Sequence, residues 1–282
     1  TTAVLTMAVE FGRSFGEMIG LAIGGFVAFG AGSLPAGWLG DHWSRRNMMA
    51  VFFIGGGAAA IVAAFATTTT QVFLALTLIG LFAAIYHPVG TAMLVSHAER
   101  TGREIGINGV WGNMGVACSA LVTGAISQWL GWRWAFAVPG IVSIAAGIAF
   151  IAMIPEGTAP KRAGARKTLD IPRPVVRRVF IVLMTVSVAG SLIFNAVNLA
   201  LPKLVEDRVA ALAQSPALIG GVVFVIYALG SLSQLLMGRL VDRHPLRAVF
   251  LPLSMLYIPC LFLAVGAQDL AIIVLAFGAV FA

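Results

Sequence analysis

Eight apolar stretches, each of about twenty residues, recur along the chain and constrain its fold more than any other feature. An α-helix of that length spans about 30 Å, which is the thickness of the hydrocarbon core of a membrane. Only 18 Lys and Arg and 11 Asp and Glu occur among 282 residues, too few to cover the surface of a soluble globule. The sequence therefore predicts an all-α, polytopic membrane helix bundle with spans near residues 16–39, 48–66, 71–94, 107–127, 134–154, 178–201, 216–238 and 247–266.

The Lys and Arg residues concentrate in the connections on one side of the predicted membrane. If the loop of residues 37–46, with the sequence GWLGDHWSRR, lies in the cytoplasm, then only Arg13, Arg133, Lys203 and Arg208 lie outside. Such an excess of positive charge in cytoplasmic loops is typical of membrane proteins. The net charge of +7 therefore indicates topology and not nucleic-acid binding, and we expect a multi-pass protein of the cell (inner) membrane.

One polar stretch divides the apolar sequence into two parts. Residues 155–177 are rich in Pro, Gly, Lys and Arg, which predicts a basic cytoplasmic linker between an N-terminal half-bundle (1–154) and a C-terminal half-bundle (178–282). The charge of this linker is explained either by the positive-inside rule or by contact with anionic lipid headgroups. The first and last apolar segments are too short to cross a bilayer, so we expect the sequence to be incomplete at both ends.

The sequence carries no recognisable motif of catalysis. It contains neither G-x-S-x-G nor H-E-x-x-H, the patterns that position a nucleophile or a catalytic zinc ion. Cys118 and Cys260 lie inside apolar spans, with no C-x-x-C spacing and no histidine cluster near them. We therefore expect no enzyme activity, no catalytic residue, no metal and no cofactor.

Two polar segments, some 200 residues apart, share one pattern and each connects two consecutive spans. Both carry a glycine, a leucine, an aspartate and two arginines in the same order. In the first copy these residues are Gly37, Leu39, Asp41, Arg45 and Arg46, and in the second copy they are Gly238, Leu240, Asp242, Arg243 and Arg247. Internal repeats of this kind are typical of transporters built from two related halves.

With these two segments the sequence resembles the major facilitator superfamily, whose loop between the second and third helices has the form G-x-L-x-D-R-x-G-R-R/K. His42 replaces the first arginine of that motif, and Ser44 and Pro245 replace its second glycine. The resemblance covers the whole chain in layout and implies two pseudo-symmetric six-helix halves, running here from the end of helix 1 to part of helix 10. It implies a secondary active transporter that moves a small molecule across the lipid bilayer by alternating access.

The resemblance also implies a role for the two polar segments. Their glycines would let neighbouring helices approach closely, and their aspartates and arginines would form a latch between the halves on the cytoplasmic side. The latch residues would be Asp41, Arg45, Arg46, Asp242, Arg243 and Arg247. The simpler interpretation is positive-inside charge combined with helix capping.

A second stretch narrows the resemblance within the superfamily. It contains a Tyr-His-Pro-x-Gly sequence at residues 86–90 and an Asn-Gly-x-Trp-Gly-Asn sequence at residues 108–113. These sequences resemble the fosmidomycin-resistance branch of drug exporters. The resemblance implies efflux coupled to protons, with His87, Asn108 and Asn113 along the transport pathway.

Other functions stay open. The fold would equally suit an uptake symporter for a small organic anion or metabolite, or a membrane receptor or scaffold that transports nothing. Antiporters of the family carry Gly-Pro where this chain has Ser119 and Ala120, so the coupling mode also stays open.

His87 is the candidate for proton coupling because no Asp or Glu lies well inside a predicted span. An ionisable side chain within a membrane tends to face a cavity or a partner, and imidazole changes its charge near neutral pH. Pro88 cannot donate a hydrogen bond to the carbonyl of Ala84, which predicts a kink beside the imidazole. A neutral histidine hydrogen-bonded to a neighbouring helix is the equal alternative.

Polar side chains form a stripe along the span at 178–201. The members recur every three or four residues and so share one helix face: Ser187, Ser191, Asn195 and Asn198. Because the stripe carries two amides, we expect it to line a path for water and substrate, and hydrogen bonding between helices is the alternative. A second stripe of Tyr227, Ser231 and Gln234 fits helix packing at least as well.

Overall fold

The computed structural model describes residues 2–155, 172–208, 216–267 and 269–280, which fold into α-helices joined by short connections. The helices are α1 (Thr2–Phe11), α2 (Phe15–Gly20), α3 (Ile23–His42), α4 (Arg45–Ala64), α5 (Thr69–Ala83), α6 (Thr91–His97), α7 (Thr101–Leu130), α8 (Trp132–Met153), α9 (Arg173–Arg208), α10 (Pro216–Arg243), α11 (Leu246–Gly266) and α12 (Leu270–Val280). A π-helical segment, Tyr86–Gly90, joins α5 to α6. The predicted all-α fold is confirmed.

Within these ranges, seven helical stretches are long and apolar enough to cross a membrane. They are Phe15–His42, Arg45–Ala64, Thr69–His97, Thr101–Leu130, Trp132–Met153, Arg173–Asn198 and Arg247–Gly266. The eighth predicted span, 216–238, lies in the 28-residue helix α10, whose apolar part is the shorter stretch Leu218–Ser233. The chain therefore has the helices of a multi-pass membrane bundle.

The start of α9 differs from the prediction. The helix begins at Arg173, whereas the predicted linker extends to residue 177. Pro174 is tolerated there because the N–H groups in the first turn of a helix have no acceptor within it, and arginine is a good helix former. Residues 156–171 of the predicted linker lie outside the described residues, so the division into two half-bundles stays a prediction.

Glycines let α4 and α8 cross in contact with each other. A Cβ atom built on Gly140 would lie 2.8 Å from the carbonyl oxygen of Gly57, and one on Gly147 would lie 2.8 Å from Cβ of Phe53. Ser143 donates a hydrogen bond of 2.8 Å to the carbonyl of Phe53 across the same interface. Membrane helices associate through such close packing because lipid tails are as apolar as the side chains.

Helix α8 is also tied to α1 and α4 at one end of the bundle. The Trp132 indole donates a 2.6 Å hydrogen bond to Glu10, and the Arg133 guanidinium lies 2.7 Å from the same carboxylate. Arg133 also donates to the carbonyl of Ala66, just beyond the end of α4. The turn into α8 is the single residue Gly131, whose φ of +88° is readily adopted only by glycine.

The first and second parts of the chain meet where α7 packs along α10. Ala117 of α7 is fully buried in an apolar cluster with Ile226 and Tyr227 of α10 and Ile273 of α12. Helix α9 packs against α10, and its residues 173–194 are exposed at the surface. The α7–α10 contact therefore holds together the parts of the chain on either side of the predicted linker.

We predict that Gly140→Ala lowers the melting temperature of the full-length protein, because the new methyl group would overlap Gly57 and force α4 and α8 apart, at a cost of about 1–3 kcal/mol. Gly30→Ala in α3 is the matched control, because a Cβ atom there meets nothing within 4 Å. The measurement is thermal unfolding of the purified proteins in detergent. Equal melting temperatures for the two variants would contradict the close crossing.

Candidate functional site

A cavity of about 600 Å³ lies between α3, α5, the π-helical segment and α9. Its walls are mostly apolar, with three phenylalanines, and its polar side chains come from two places, the π-helical segment and α9. The lining includes Phe26, Phe29, Leu76, Ile79, His87, Ser191, Phe194 and Asn195. The cavity therefore brings a predicted proton-coupling residue and two members of the predicted polar stripe to one site.

The wall formed by α3 and α5 depends on two glycines that also line the cavity. A Cβ atom on Gly80 would lie 2.6 Å from Cα of Gly25, and one on Gly25 would lie 2.8 Å from the carbonyl oxygen of Leu76. The two backbones are thus in direct contact, which only glycine permits at this distance. Beside this contact, Phe26 and Phe29 of α3 and Leu76 and Ile79 of α5 line the cavity.

His87 lies in the π-helical segment and is exposed to the cavity. Its ring stands edge-on to Phe29, with the ring centres 5.9 Å apart. Among the described residues, none forms a hydrogen bond with the imidazole. The predicted kink at Pro88 takes the form of a π-helical turn, a distortion that is frequent at functional sites.

Asn108 and Asn113 on α7 do not line this cavity. The hydroxyl of Tyr86 donates a 2.7 Å hydrogen bond to the side-chain oxygen of Asn108, and the Tyr86 ring lies 5.5 Å from that of Phe52. Asn108 therefore joins the π-helical segment to α7. Asn113 is half-buried.

The polar stripe on α9 divides into residues that line the cavity and residues that do not. Ser191 and Asn195 line it, whereas Ser187 is exposed outside it and Asn198 is half-buried. The amides of Asn195 and Asn198 each donate to the carbonyl four residues earlier, at 2.8 and 3.0 Å. Since these bonds use only the amide nitrogen, the side-chain oxygen of Asn195 keeps its capacity to accept a hydrogen bond.

The second predicted stripe, on α10, belongs to the protein interior. Tyr227 and Ser231 are buried, and the Ser231 hydroxyl donates a 2.7 Å hydrogen bond to the carbonyl of Tyr227. The side chain of Gln234 lies outside the described part of the chain. These contacts fit helix packing.

The first copy of the repeated motif forms a short connection with internal bonds. Helix α3 ends at His42, and α4 begins at Arg45 after a connection of two residues and is capped by the Ser44 hydroxyl. The guanidinium of Arg45 lies 2.7 Å from the Asp41 carboxylate and donates a second bond of 3.4 Å to the carbonyl of Ala92 on α6. The first copy thereby ties α3 and α4 to the start of α6.

Arg46 and Gly37 complete the first copy. Arg46 donates to the carbonyls of Ile151, at 2.6 Å, and of Ile154, so it satisfies the carboxyl end of α8. A Cβ atom on Gly37 would lie 3.3 Å from Cβ of Pro88. The glycine therefore permits close contact between α3 and the π-helical segment that carries His87.

The second copy has the same backbone plan but different partners. Helix α10 contains Gly238 and ends at Arg243, and α11 begins after two residues, His244 and Pro245. The Asp242 carboxylate lies against the first turn of α7, where a Cβ atom on Gly102 would come within 2.8 Å of its Cγ and 3.2 Å of Oδ2. A carboxylate in this position is favoured by the positive end of the helix dipole. Arg243 and Arg247 are exposed.

Sequence reasoning missed several of these residues. Phe26, Phe29 and Phe194 line the cavity, but the sequence does not distinguish them. A phenylalanine that faces lipid and one that faces a cavity occur in the same apolar pattern. Gly102 could have been noticed as a glycine in the first turn of a helix, where it lowers helix propensity by about 1 kcal/mol. Its contact with Asp242, 140 positions away, has no signal in the sequence.

Membrane-length helices, a repeated polar connection and a cavity between the helices define a polytopic membrane helix bundle. A sequence model of the Major Facilitator Superfamily matches residues 1–282, and the chain belongs to this family. It is also 28% identical over 149 residues to the puromycin resistance protein pur8 of Streptomyces alboniger, a match that covers 52% of this chain and 29% of that protein. The matched region is therefore less than a third of the length of that relative.

We predict that cysteines placed at Ser191 and Asn195 in a cysteine-free full-length protein react with a small, water-soluble thiol reagent, because both positions line the cavity. Leu192 is the matched control, since its side chain is 67% exposed at the outer surface of the same helix and would face lipid. The measurement is the rate of labelling in membranes. Equal rates at positions 191, 192 and 195 would show that the cavity is not open to water.

Proposed function

We propose that the protein is a proton-coupled secondary transporter that exports a small molecule across the cell (inner) membrane by alternating access. The observation that carries the proposal is the cavity in which His87 lies with Ser191 and Asn195. Its members come from both sides of the predicted linker. A site shared by two halves can open to either side of the membrane when the halves rock against each other.

The chemistry of the cavity favours a largely apolar substrate with a few hydrogen-bonding groups. A volume of about 600 Å³ lies within the range of sites for drug-sized molecules. Phe26, Phe29 and Phe194 offer aromatic surfaces, and Ser191 and Asn195 offer hydrogen bonds that orient the substrate. No aspartate or glutamate is among the described residues that line the cavity, so these residues offer no counter-ion to a permanently charged cation.

His87 supplies the coupling in this proposal. Among the described residues that line the cavity it is the one ionisable side chain, and no described residue holds its ring by a hydrogen bond. Uptake of a proton would place a positive charge on a largely apolar wall, which weakens the binding of an apolar or weakly basic substrate. Protonation from the outside would therefore release substrate outward, and loss of the proton inside would restore the binding site.

The export direction rests on resemblance. The sequences at 86–90 and 108–113 resemble the fosmidomycin-resistance branch of drug exporters, and the relative from Streptomyces alboniger is a puromycin resistance protein. One observation favours a second candidate, an uptake symporter for a small organic anion. Protonated His87 would attract an anion, so proton and substrate would then enter together.

In the same proposal the two copies of the repeated motif act as the latch on the cytoplasmic side. The latch depends on Asp242, whose carboxylate lies against the amino end of α7. Asp242 belongs to α10, and the predicted linker lies between α7 and α10 in the sequence. The contact would stabilise the conformation in which the two halves are closed at this side. The first copy, with its bonds from Arg45 and Arg46 to α6 and α8, would keep its own half rigid.

We predict that His87→Gln abolishes efflux driven by a pH gradient while substrate exchange without a gradient is largely retained. Glutamine keeps a hydrogen-bonding side chain but takes up no proton. The measurement is substrate efflux from vesicles of the full-length protein at imposed pH gradients. Unchanged pH dependence would exclude His87 from coupling, and proton-driven accumulation of an organic anion inside the vesicles would favour the symporter.

We predict that Gly102→Val slows transport by about two- to fivefold, because the new side chain displaces the Asp242 carboxylate from the end of α7, an interaction of about 0.3–1 kcal/mol. Gly112→Val on the same helix is the control, since a Cβ atom there meets nothing within 4 Å. Asp242→Asn should reproduce the effect of Gly102→Val. Wild-type rates in both Gly102→Val and Asp242→Asn, with normal membrane insertion, would contradict the latch.

A further inference from the structure

A second concave site, separate from the cavity at His87, lies between α10 and α11. It is a groove of about 380 Å³ whose walls include Leu240, His244, Ala248, Val249 and Pro252. Neighbouring apolar side chains such as Val241, Phe250 and Leu251 are 41–53% exposed, as expected for a surface in contact with lipid. The groove begins at the connection between the two helices and follows α11 into its apolar part.

Three arginines adjoin, in the sequence, residues that line this groove. Arg239, Arg243 and Arg247 each directly precede a groove-lining residue, Leu240, His244 or Ala248, in the sequence. All three arginines and His244 are exposed, and none of the four forms an ion pair or a side-chain hydrogen bond with another described residue. The groove thus lies beside three arginines that form no ion pair with any described residue.

Arginines without partners are not a general feature of the repeated motif, because those of the first copy are bonded. There, Arg45 is paired with Asp41, and Arg46 is bonded to carbonyls at the end of α8. The first turn of α4 is capped by the Ser44 hydroxyl, whereas α11 follows Pro245 and has no side-chain cap. In the second copy both the arginines and the amino end of the helix are available to an anion from outside the protein.

We propose that the groove between α10 and α11 binds an anionic phospholipid. One acyl chain lies along Leu240, Val249 and Pro252, and the phosphate contacts Arg239, Arg243 or Arg247 beside the uncapped start of α11. The occupant is a lipid because the site combines an apolar groove with cations at one end, which matches an anionic headgroup joined to an acyl chain. The cations also lie on the side of the membrane that the charge distribution assigns to the cytoplasm, where anionic lipids attract basic residues.

The test uses phosphatidylglycerol with a photoreactive acyl chain, added to the delipidated full-length protein in detergent. Cross-linked peptides are mapped by mass spectrometry. We expect cross-links within residues 237–253, lost on competition with unlabelled phosphatidylglycerol but kept with phosphatidylcholine of the same acyl chains or with inorganic phosphate. Competition by phosphatidylcholine to the same extent would show ordinary annular lipid, and competition by phosphate alone would show a site for free anions. Either result overturns the proposal.

Different substitutions test the arginines that would bind the headgroup and the apolar groove that would bind the acyl chain. Arg239→Gln/Arg247→Gln should weaken phosphatidylglycerol binding by about 25-fold, roughly fivefold for each charge near the membrane surface. Ala248→Phe should also reduce cross-linking, because its ring fills the groove while every cation stays in place. Arg177→Gln/Arg178→Gln, which removes two exposed arginines of α9, should leave the cross-links unchanged. Wild-type yields in both groove variants, or an equal loss in the α9 variant, would overturn the site.

Discussion

Hydrocarbon contains no water to hydrogen-bond a peptide group, so each backbone N–H and C=O within the membrane must find its partner inside the protein. Continuous helices meet this requirement, and the connections between several of them shrink to one residue at Gly131 or two residues after His42 and after Arg243. Where Pro88 interrupts the regular hydrogen bonding of a span, the chain forms a π-helical turn. With the backbone satisfied locally, side chains decide how the helices pack and where a cavity remains.

Small residues determine where the helices of this protein cross in direct contact. Gly57 and Gly140 bring α4 and α8 into contact, and Gly25 and Gly80 do the same for α3 and α5. Burial against a neighbouring helix gains little when lipid offers an equally apolar surface, so shape decides which helices touch. The cavity lies where α9 faces α3 and α5, and Gly25 and Gly80 themselves form part of its wall.

The repeated motif gives the same backbone in both copies and different contacts in each. Both aspartates are the second-last residue of a helix, followed by a two-residue connection and a new helix. Asp41 is paired with Arg45 across the two-residue connection, whereas Asp242 lies against the start of α7, and Arg243 and Arg247 are exposed. The two copies also differ at the start of the second helix, since Ser44 caps α4 and Pro245 offers no side-chain cap to α11. The same sequence pattern therefore forms one connection whose arginines are bonded to other helices and one connection whose arginines are exposed.

The sequence by itself determined the helices, their membrane-spanning character and the repeated connection, because length, apolar content and motif spacing are local properties. It also put Ser191 and Asn195 on one helix face, since the period of the α-helix fixes that relation. Only the tertiary structure decided that these two residues share a cavity with His87, that Asn108 bonds to Tyr86, and that Asp242 meets Gly102. Periodicity specifies a face but not the neighbour opposite it, and in lipid an apolar face gives no sign of whether it meets another helix, a cavity or the bilayer.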